Sequence, residues 1–496
     1  MSKFEKNFTR FFNAGFPILY VDTFEDYKVT DTIHNLCKKN KRGIIEWSLT
    51  GAKDFDIGGN LQEMDLAETL KFLFREGDYL NNKIILLKDA HFFINEPAVI
   101  SIIKTIAQNT ITGKVDCIIV IVAPFDGLPK ELESYTTVLE LDFLDDDAIK
   151  KIIENFAVES EVPIPNKNLL NEFSRNLKGL SRTDIENILA LAISDGGGFN
   201  AADIPKISAQ KKQLIRKSNI LEMLEVKESM NDIGGLENLK GWLRRKAEVF
   251  QQIGNAQQFG VDIPKGVLIV GMPGCGKSLT AKAVAKSFKV PLLRLDIGRL
   301  MGKYVGESET NMRRAIKLTE SSAPCVLWID EIEKAFAGIN SDNGSEVTAR
   351  LFGNFLTWMQ EKESLTFVVA TANKIDVLPP ELLRKGRFDE IFYVGLPNFE
   401  ERKKILEVHI NKRRSQDLQN INLDDIAKKT EGYCGADLEG IIKDAIENVF
   451  VSKKDFLSTE DILAASAETH SLSEVMKDSI KKLQEKYTEL KLKSAT

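Results

Sequence analysis

Short runs of consecutive apolar residues recur along the chain, separated by longer stretches in which apolar positions return every three or four residues. In the first half these runs are PILYVDT (17–23), GIIEWSL (43–49), KIILLKD (83–89) and IIVIVAP (118–124). In the second half they are GVLIVG (266–271), PLLRLD (291–296), CVLWID (325–330) and FVVATAN (367–373). Runs that are apolar at odd and even positions alike predict strands buried on both faces of a parallel sheet, and the amphipathic stretches between them predict helical crossovers. The expected fold class is therefore α/β, in two halves. DGGGFN (195–200) and a charged helical segment over about 208–228 separate them. Phe4, Phe8, Phe11 and Phe12 recur at helical spacing, as do Met476, Ile480, Leu483, Tyr487 and Leu490. Each set predicts a helix docked on its own domain, or one that makes subunit contacts.

The halves also align with each other. Setting PILYV (17–21) on GVLIV (266–270) places Lys28 opposite Lys277, an offset of 249 (277 minus 28). LPKEL (128–132) answers LPPEL (378–382) at an offset of 250, and KGLSRTDIENIL (178–189) answers EGYCGADLEGII (431–442) at 253. Ordered matches at a nearly constant offset point to a duplicated fold. The alternative, that any two α/β domains share such spacing, stays open from these residues alone.

Hydrophobic residues make up 43% of the chain and charged residues 28%, the balance of a soluble globular protein of several domains. No apolar run is long enough to span a bilayer, and MSKFEKNFTRFF has no apolar signal region. The five cysteines are scattered without a CxxC pair, which fits a reducing, cytoplasmic compartment. A net charge of -6 argues against a nucleic-acid partner. The four histidines form no HExxH zinc site.

The chemistry is concentrated in the second half. Gly271-Met272-Pro273-Gly274-Cys275-Gly276-Lys277-Ser278 is a complete GxxxxGK[ST] loop between a predicted strand and a predicted helix. Glycines there let backbone N–H groups turn toward phosphate, and the helix N-terminus adds a favourable dipole. Lys277 would reach the β- and γ-phosphates of ATP, and Ser278 would take a position on Mg2+. CVLWID ends in Asp330, a second magnesium-side group, followed by Glu331, placed to polarise the attacking water. Asn373 ends the next strand, where its amide would orient that water. Cys275 at a helix N-terminus opens a redox-inhibition reading, set against the plain one that small loop residues vary freely.

With these residues together, positions 228–450 resemble an AAA ATPase of the AAA+ superfamily. NDIGGLENLK (231–240) is similar to the segment whose backbone flanks adenine there, which implies that Ile233 and Gly234 bind nucleotide, as does Leu279 after the loop. LLRKGRFDE (382–390) resembles the arginine-finger segment, which implies that Arg384 and Arg387 act on nucleotide held by a neighbouring subunit. ILEVHI places His409 at the lid histidine, and GYCGADLEGI (432–441) places Gly435 and Ala436 near adenine. RLMGKYVGESE (299–309) resembles the first pore loop, which puts Lys303, Tyr304 and Val305 at a central channel. The opening FFNAGFPILYVDTFEDYK, the phrase TANKIDVLPPELLRKGRFDEIF and the tail SLSEVMKDSIKKLQEKY together resemble a narrower family, the stand-alone AAA ATPases typified by hypothetical chloroplast reading frame forty-six.

The first half lacks this equipment. Asp22, Glu25 and Tyr27 stand where the second half has loop glycines, and their carboxylates would repel phosphate. Lys28 keeps the lysine position. Asp89 is aligned with the magnesium-side carboxylate, and Ala90 with the catalytic one. SYTTVL (134–139) carries no arginine. The expected organisation is a degenerate AAA-like domain without a P-loop over 1–215, a linker helix over 216–230, the large ATPase subdomain over 231–398, a helical lid over 399–470 and a helical tail over 471–496. The expected function is an ATP-dependent, homo-oligomeric motor, hexameric by the resemblance, that remodels or threads a protein. The alternative is a scaffold or regulator whose assembly ATP switches.

Overall fold

Each apolar run forms a strand: Ile18–Asp22, Gly43–Ser48, Lys83–Lys88 and Cys117–Ala123 in the first half, and Gly266–Gly271, Leu292–Leu295, Cys325–Ile329 and Thr366–Ala372 in the second. The computed structural model describes residues 3–23, 26–55, 59–60, 65–75, 77–123, 128–140, 144–196, 199–217, 220–300, 307–336 and 345–496. They form two compact units, Met1–Leu144 and Asp145–Thr496.

In the first unit the parallel strands lie in the order Gly43–Ser48, Lys83–Lys88, Cys117–Ala123, Ile18–Asp22, Thr136–Glu140. Gly51–Asp54 and Gly59–Asn60 extend one edge antiparallel. The central strand shows why such runs are uninterrupted: Ile119 and Ile121 face a core with Leu70, Val99 and Ile103, while Ile118, Val120 and Val122 face another with Phe8, Phe12 and Ile33. Each such side chain removed from water contributes about 1.5–3 kcal/mol, so both faces must be apolar. Phe4, Phe8 and Phe12 are buried from helix Lys3–Asn13, so this helix docks on its own unit.

The second unit repeats the order: Leu292–Leu295, Cys325–Ile329, Thr366–Ala372, Gly266–Gly271, Glu390–Val394, all parallel. The two sheets share this order, with Ile18–Asp22 in the place of the strand that precedes the phosphate loop. The two LP segments correspond as well. Pro129 and Pro379 each precede a one-turn helix, each carbonyl accepts the leucine N–H three residues on at 2.9 Å, and Leu132 and Leu382 are fully buried.

Two expectations about the junction are corrected. The linker helix over 216–230 is not formed: a helix ends at Lys217, and Leu221–Leu224 is an edge strand antiparallel to Leu292–Leu295. Ile220 and Leu221 bury their side chains there, and pairing with the open sheet edge outweighs helix propensity. The break between compact units falls at Leu144, earlier than 215, because helices from Asp146 to Lys217 pack with the second unit and Ile215 joins its core.

Helices Phe399–Arg414, Leu423–Lys429, Gly435–Val451 and Thr459–Glu468 bury Leu406, Ile410, Leu438, Ile441 and Ile462 together as a lid. The tail helix Lys477–Leu490 docks on the sheet: Ile480 and Leu483 are buried, and Tyr487 stacks on Tyr393 at 4.4 Å. Lys493–Ser494 then adds a short parallel strand beside Glu390–Val394. Among the described residues no helix is long and apolar enough to cross a membrane.

Candidate active site

Strand Gly266–Gly271, buried throughout, delivers the glycine loop to the sheet's C-terminal edge, and helix Lys277–Phe288 leads away from it. Gly274 has φ +74°, and a Cβ there would meet Cys434 Sγ at 2.6 Å. The lid helix starts against the loop at this point, and the Ala436 N–H donates to the Gly274 carbonyl at 3.0 Å. A side chain at 274 would force loop and lid apart. The Lys277 ammonium is buried and donates to the carbonyls of Gly271 and Met272 at 2.9 and 2.6 Å. Burial lowers its pKa from 10.5 to about 8, opposed by Cys275, Glu333, Asp330 and Glu331.

The carboxylates follow strand Cys325–Ile329, two places from the loop strand in the sheet. Asp330 Oδ1 accepts from Thr371 Oγ1 at 2.5 Å and from Ser278 Oγ at 3.3 Å. The Glu331 N–H donates to Thr371 Oγ1 at 3.1 Å, and Asn373 Nδ2 donates to Glu331 Oε1 at 3.1 Å. The Asn373 N–H is held by Glu333 Oε1 at 3.0 Å, and Lys334 pairs with Glu331. Burial pushes the Glu333 carboxyl above its usual range. Glu331 has φ 51°, a left-handed conformation uncommon outside glycine, asparagine and aspartate, and such strain recurs at functional sites.

A cavity of about 380 Å³ joins these groups: Pro273, Gly274, Cys275, Gly276, Lys277, Ser278 and Leu279 on one side, Asp330, Glu331 and Asn373 at the strand ends, and Ile233, Gly234, His409, Gly435 and Ala436 around the remainder. Gly271 contributes through its carbonyl on Lys277. The His409 pKa is lowered by burial, so the ring is neutral over most of the physiological range. Burial pushes the Cys275 thiol up to about 12 and Cys434 to about 11, the reverse of an activated thiol, which speaks against the redox reading of Cys275. Sequence reasoning missed Thr371, Glu333, Leu236, Ile405, Val408, Glu401 and Glu439. Only Thr371, inside FVVATAN, carried a signal: a hydroxyl in an otherwise apolar strand.

Arg384 and Arg387 do not line this cavity. Arg384 borders a separate open groove of about 1330 Å³ with Lys385, Phe388 and Leu492, and Arg387 donates to the Glu381 carbonyl. Lys303, Tyr304 and Val305 lie outside the described residues, as does Glu25, and the side chains of Tyr27 and Lys28 are likewise not described.

The equivalent edge of the first unit corrects one alignment. Asp89 has φ 55°, precedes a short 3-10 turn, and its carbonyl accepts the N–H of Phe92 three residues on. Glu331 does the same with Lys334. Asp89 therefore matches Glu331, not Asp330, and Lys88 falls at the Asp330 position. Lys88 Nζ lies 2.5 Å from Glu46 and 3.9 Å from Asp26, so an ammonium stands where the second unit offers a carboxylate oxygen.

Comparison with known proteins follows this division. Residues 267–396 match the ATPase family associated with various cellular activities (AAA), and 420–464 match the AAA+ lid domain. Residues 4–141 match the SpoVK-like AAA ATPase N-terminal domain, and 147–218 the second domain of that group. The chain is 35% identical over 490 residues to the AAA domain-containing protein ycf46 of Guillardia theta, covering 97% of this chain and 94% of that one. It is 35% identical over 476 residues to ycf46 of Pyropia yezoensis, covering 95% of each. Over 240 residues it is 36% identical to the proteasome-activating nucleotidase of Pyrococcus abyssi, covering 47% of this chain and 60% of that one.

Proposed function

The chain belongs to the ycf46 family of AAA ATPases and is an ATP hydrolase, and we propose that it works as a ring, hexameric by family likeness, that remodels or threads a protein. The observation that carries this reading is the separation of Arg384 and Arg387 from the chain's own cavity. Transition-state charge on γ-phosphate then has to be met by the arginines of a second copy.

Within one site the roles follow from chemistry. Lys277 exchanges its two loop carbonyls for the β- and γ-phosphates. Ser278 Oγ and Asp330 Oδ1, 3.3 Å apart, offer the hard oxygen donors that would hold Mg2+. A magnesium ion held there would supply positive charge to offset that of the phosphates. Glu331 accepts the proton of the attacking water, and Asn373, already 3.1 Å from Glu331, fixes the carboxylate and the water together. Ile233, Gly234, Gly435 and Ala436 take the adenine, with Leu279 and His409 beside the base and sugar. Lys303, Tyr304 and Val305 grip an extended polypeptide in the channel, a surface suited to backbone and apolar contact. The net charge of -6 and five free cysteines support a protein partner, not nucleic acid, in a reducing cytoplasmic compartment.

The solution mass of Glu331→Gln protein, with and without Mg-ATP, tests the ring. ATP-dependent conversion to a hexamer is expected. A mass that stays monomeric with ATP bound overturns the motor and leaves a nucleotide-controlled regulator.

A further inference from the structure

Glu401 stands in the first turn of the first lid helix, is 7% exposed, and lines the same cavity as Lys277. Its Oε2 accepts the Asn398 N–H at 3.1 Å, which closes the helix cap. Its Oε1 accepts two further donors from distant parts of the chain, the Leu236 N–H at 2.9 Å and the Thr496 hydroxyl at 3.0 Å. The contact with 233–236 is close. Gly235 has φ +78°, and a Cβ there would meet Glu401 at 2.5 Å. Thr496 reaches the carboxylate by strand addition. Lys493 and Ser494 pair with Phe392 and Tyr393, the Ala495 N–H donates to the Tyr393 carbonyl at 2.9 Å, and the Leu239 N–H donates to the Ala495 carbonyl at 3.1 Å. Ala495 is fully buried.

One buried carboxylate thus joins a cavity wall, the lid and a strand that arrives from the end of the tail. A buried carboxylate deprived of a donor is destabilised, and the pieces it joins lose their fixed spacing. We propose that residues 493–496 are a clasp that positions the wall formed by 233–236 through Glu401, so that docking of this strand sets nucleotide affinity. Glu401 and Thr496 are positioning residues. The proposal rests on the reading that this wall takes the base. Since the base is common to both nucleotides, the clasp acts on ATP and ADP equally.

The test uses the full chain. Thr496→Val keeps the shape and removes the hydroxyl, Thr496→Ser restores it, and Ala495→Glu drives the strand from its buried place. Thr496→Val is expected to raise the KM for ATP and the Kd for a fluorescent ADP analogue alike, by about tenfold, the scale of a lost hydrogen bond to a charged group. Turnover at saturating ATP should hold, Thr496→Ser should bind like the parent, and Ala495→Glu should weaken both nucleotides at least as much. Ile233→Ala reports on the underlying reading. If it weakens binding while Thr496→Val and Ala495→Glu do not, the clasp is overturned and the base site stands. If Ile233→Ala leaves both affinities unchanged, the base site fails and the clasp with it. A Thr496→Val protein that loses turnover at unchanged KM overturns the clasp directly.

Discussion

The two sheets run five parallel strands in the same order, and in each the second strand, Lys83–Lys88 or Cys325–Ile329, leads to a left-handed residue and a 3-10 turn. One unit sets Asp330 and Glu331 there, with Thr371, Ser278 and Asn373 bonded around them. The other sets Lys88 and Asp89 there, with Lys88 committed to Glu46. The architecture depends on two-faced burial of the strands, to which any Val, Ile or Leu contributes. Nucleotide chemistry depends on a few loop positions at which a single residue type is required. Two sheets can therefore share strand order and even a left-handed corner residue while only one of them carries the phosphate-loop residues.

The largest expected effect separates the two lysines that the sequences align. Lys277→Ala should abolish nucleotide binding, and turnover with it, as the charge-assisted phosphate contact is lost. Lys28→Ala should leave affinity unchanged, and calorimetry should count one ATP per chain in the parent. Two ATP per chain, or a loss on changing Lys28, would break the comparison and make the first unit a second nucleotide site.

Much of this contrast was legible in the sequence. The buried strands are continuous apolar runs, and the glycine loop has no other economical reading. The elements that escaped are short or half polar: TTVLE at Thr136–Glu140, and Leu221–Leu224 inside a charged stretch, are strands only because a neighbouring edge pairs with them. Thr371, Glu333 and Glu401 escaped because their partners lie far away in sequence and meet only in the fold. The placement of Asp89 one position off has the same origin. Backbone φ, which marks it as the counterpart of Glu331, is not written in residue identity.

The next effect concerns the proposed finger segment, whose counterpart SYTTVL (134–139) carries no arginine. Arg387→Ala should cut turnover by about 10³-fold while ATP affinity holds, since an arginine finger acts on transition-state charge. Mixing this variant with Glu331→Gln, each supplying what the other lacks at alternate interfaces, should recover part of the turnover. Arg387 also bonds the Glu381 carbonyl, so a merely structural role would appear instead as a lower melting temperature at unchanged turnover. That result would remove the shared site.

The smallest effect is a pH dependence confined to the active unit. Burial holds the Lys277 ammonium at a pKa of about 8, below its ordinary 10.5. Phosphate oxygens favour the protonated form, so its pKa in the complex is higher than in the free cavity. Below pH 8 both states carry the proton and affinity is flat. Above pH 8 binding must take up a proton, and the Kd for Mg-ATP should rise about tenfold per pH unit until the pKa of the complex is passed. Folding shifts in the opposite sense. A lysine depressed in the folded state costs stability at neutral pH, and that cost is relieved as pH climbs from 8 toward 10.5. The nucleotide-free protein should therefore gain stability over the window in which ATP affinity declines. Titration calorimetry at pH 9 in buffers of different ionisation enthalpy reads the proton directly. Uptake approaching one proton per ATP is expected, whereas a Kd that stays constant to pH 9.5 would mean that Lys277 keeps its charge when buried, with the nearby carboxylates outweighing desolvation.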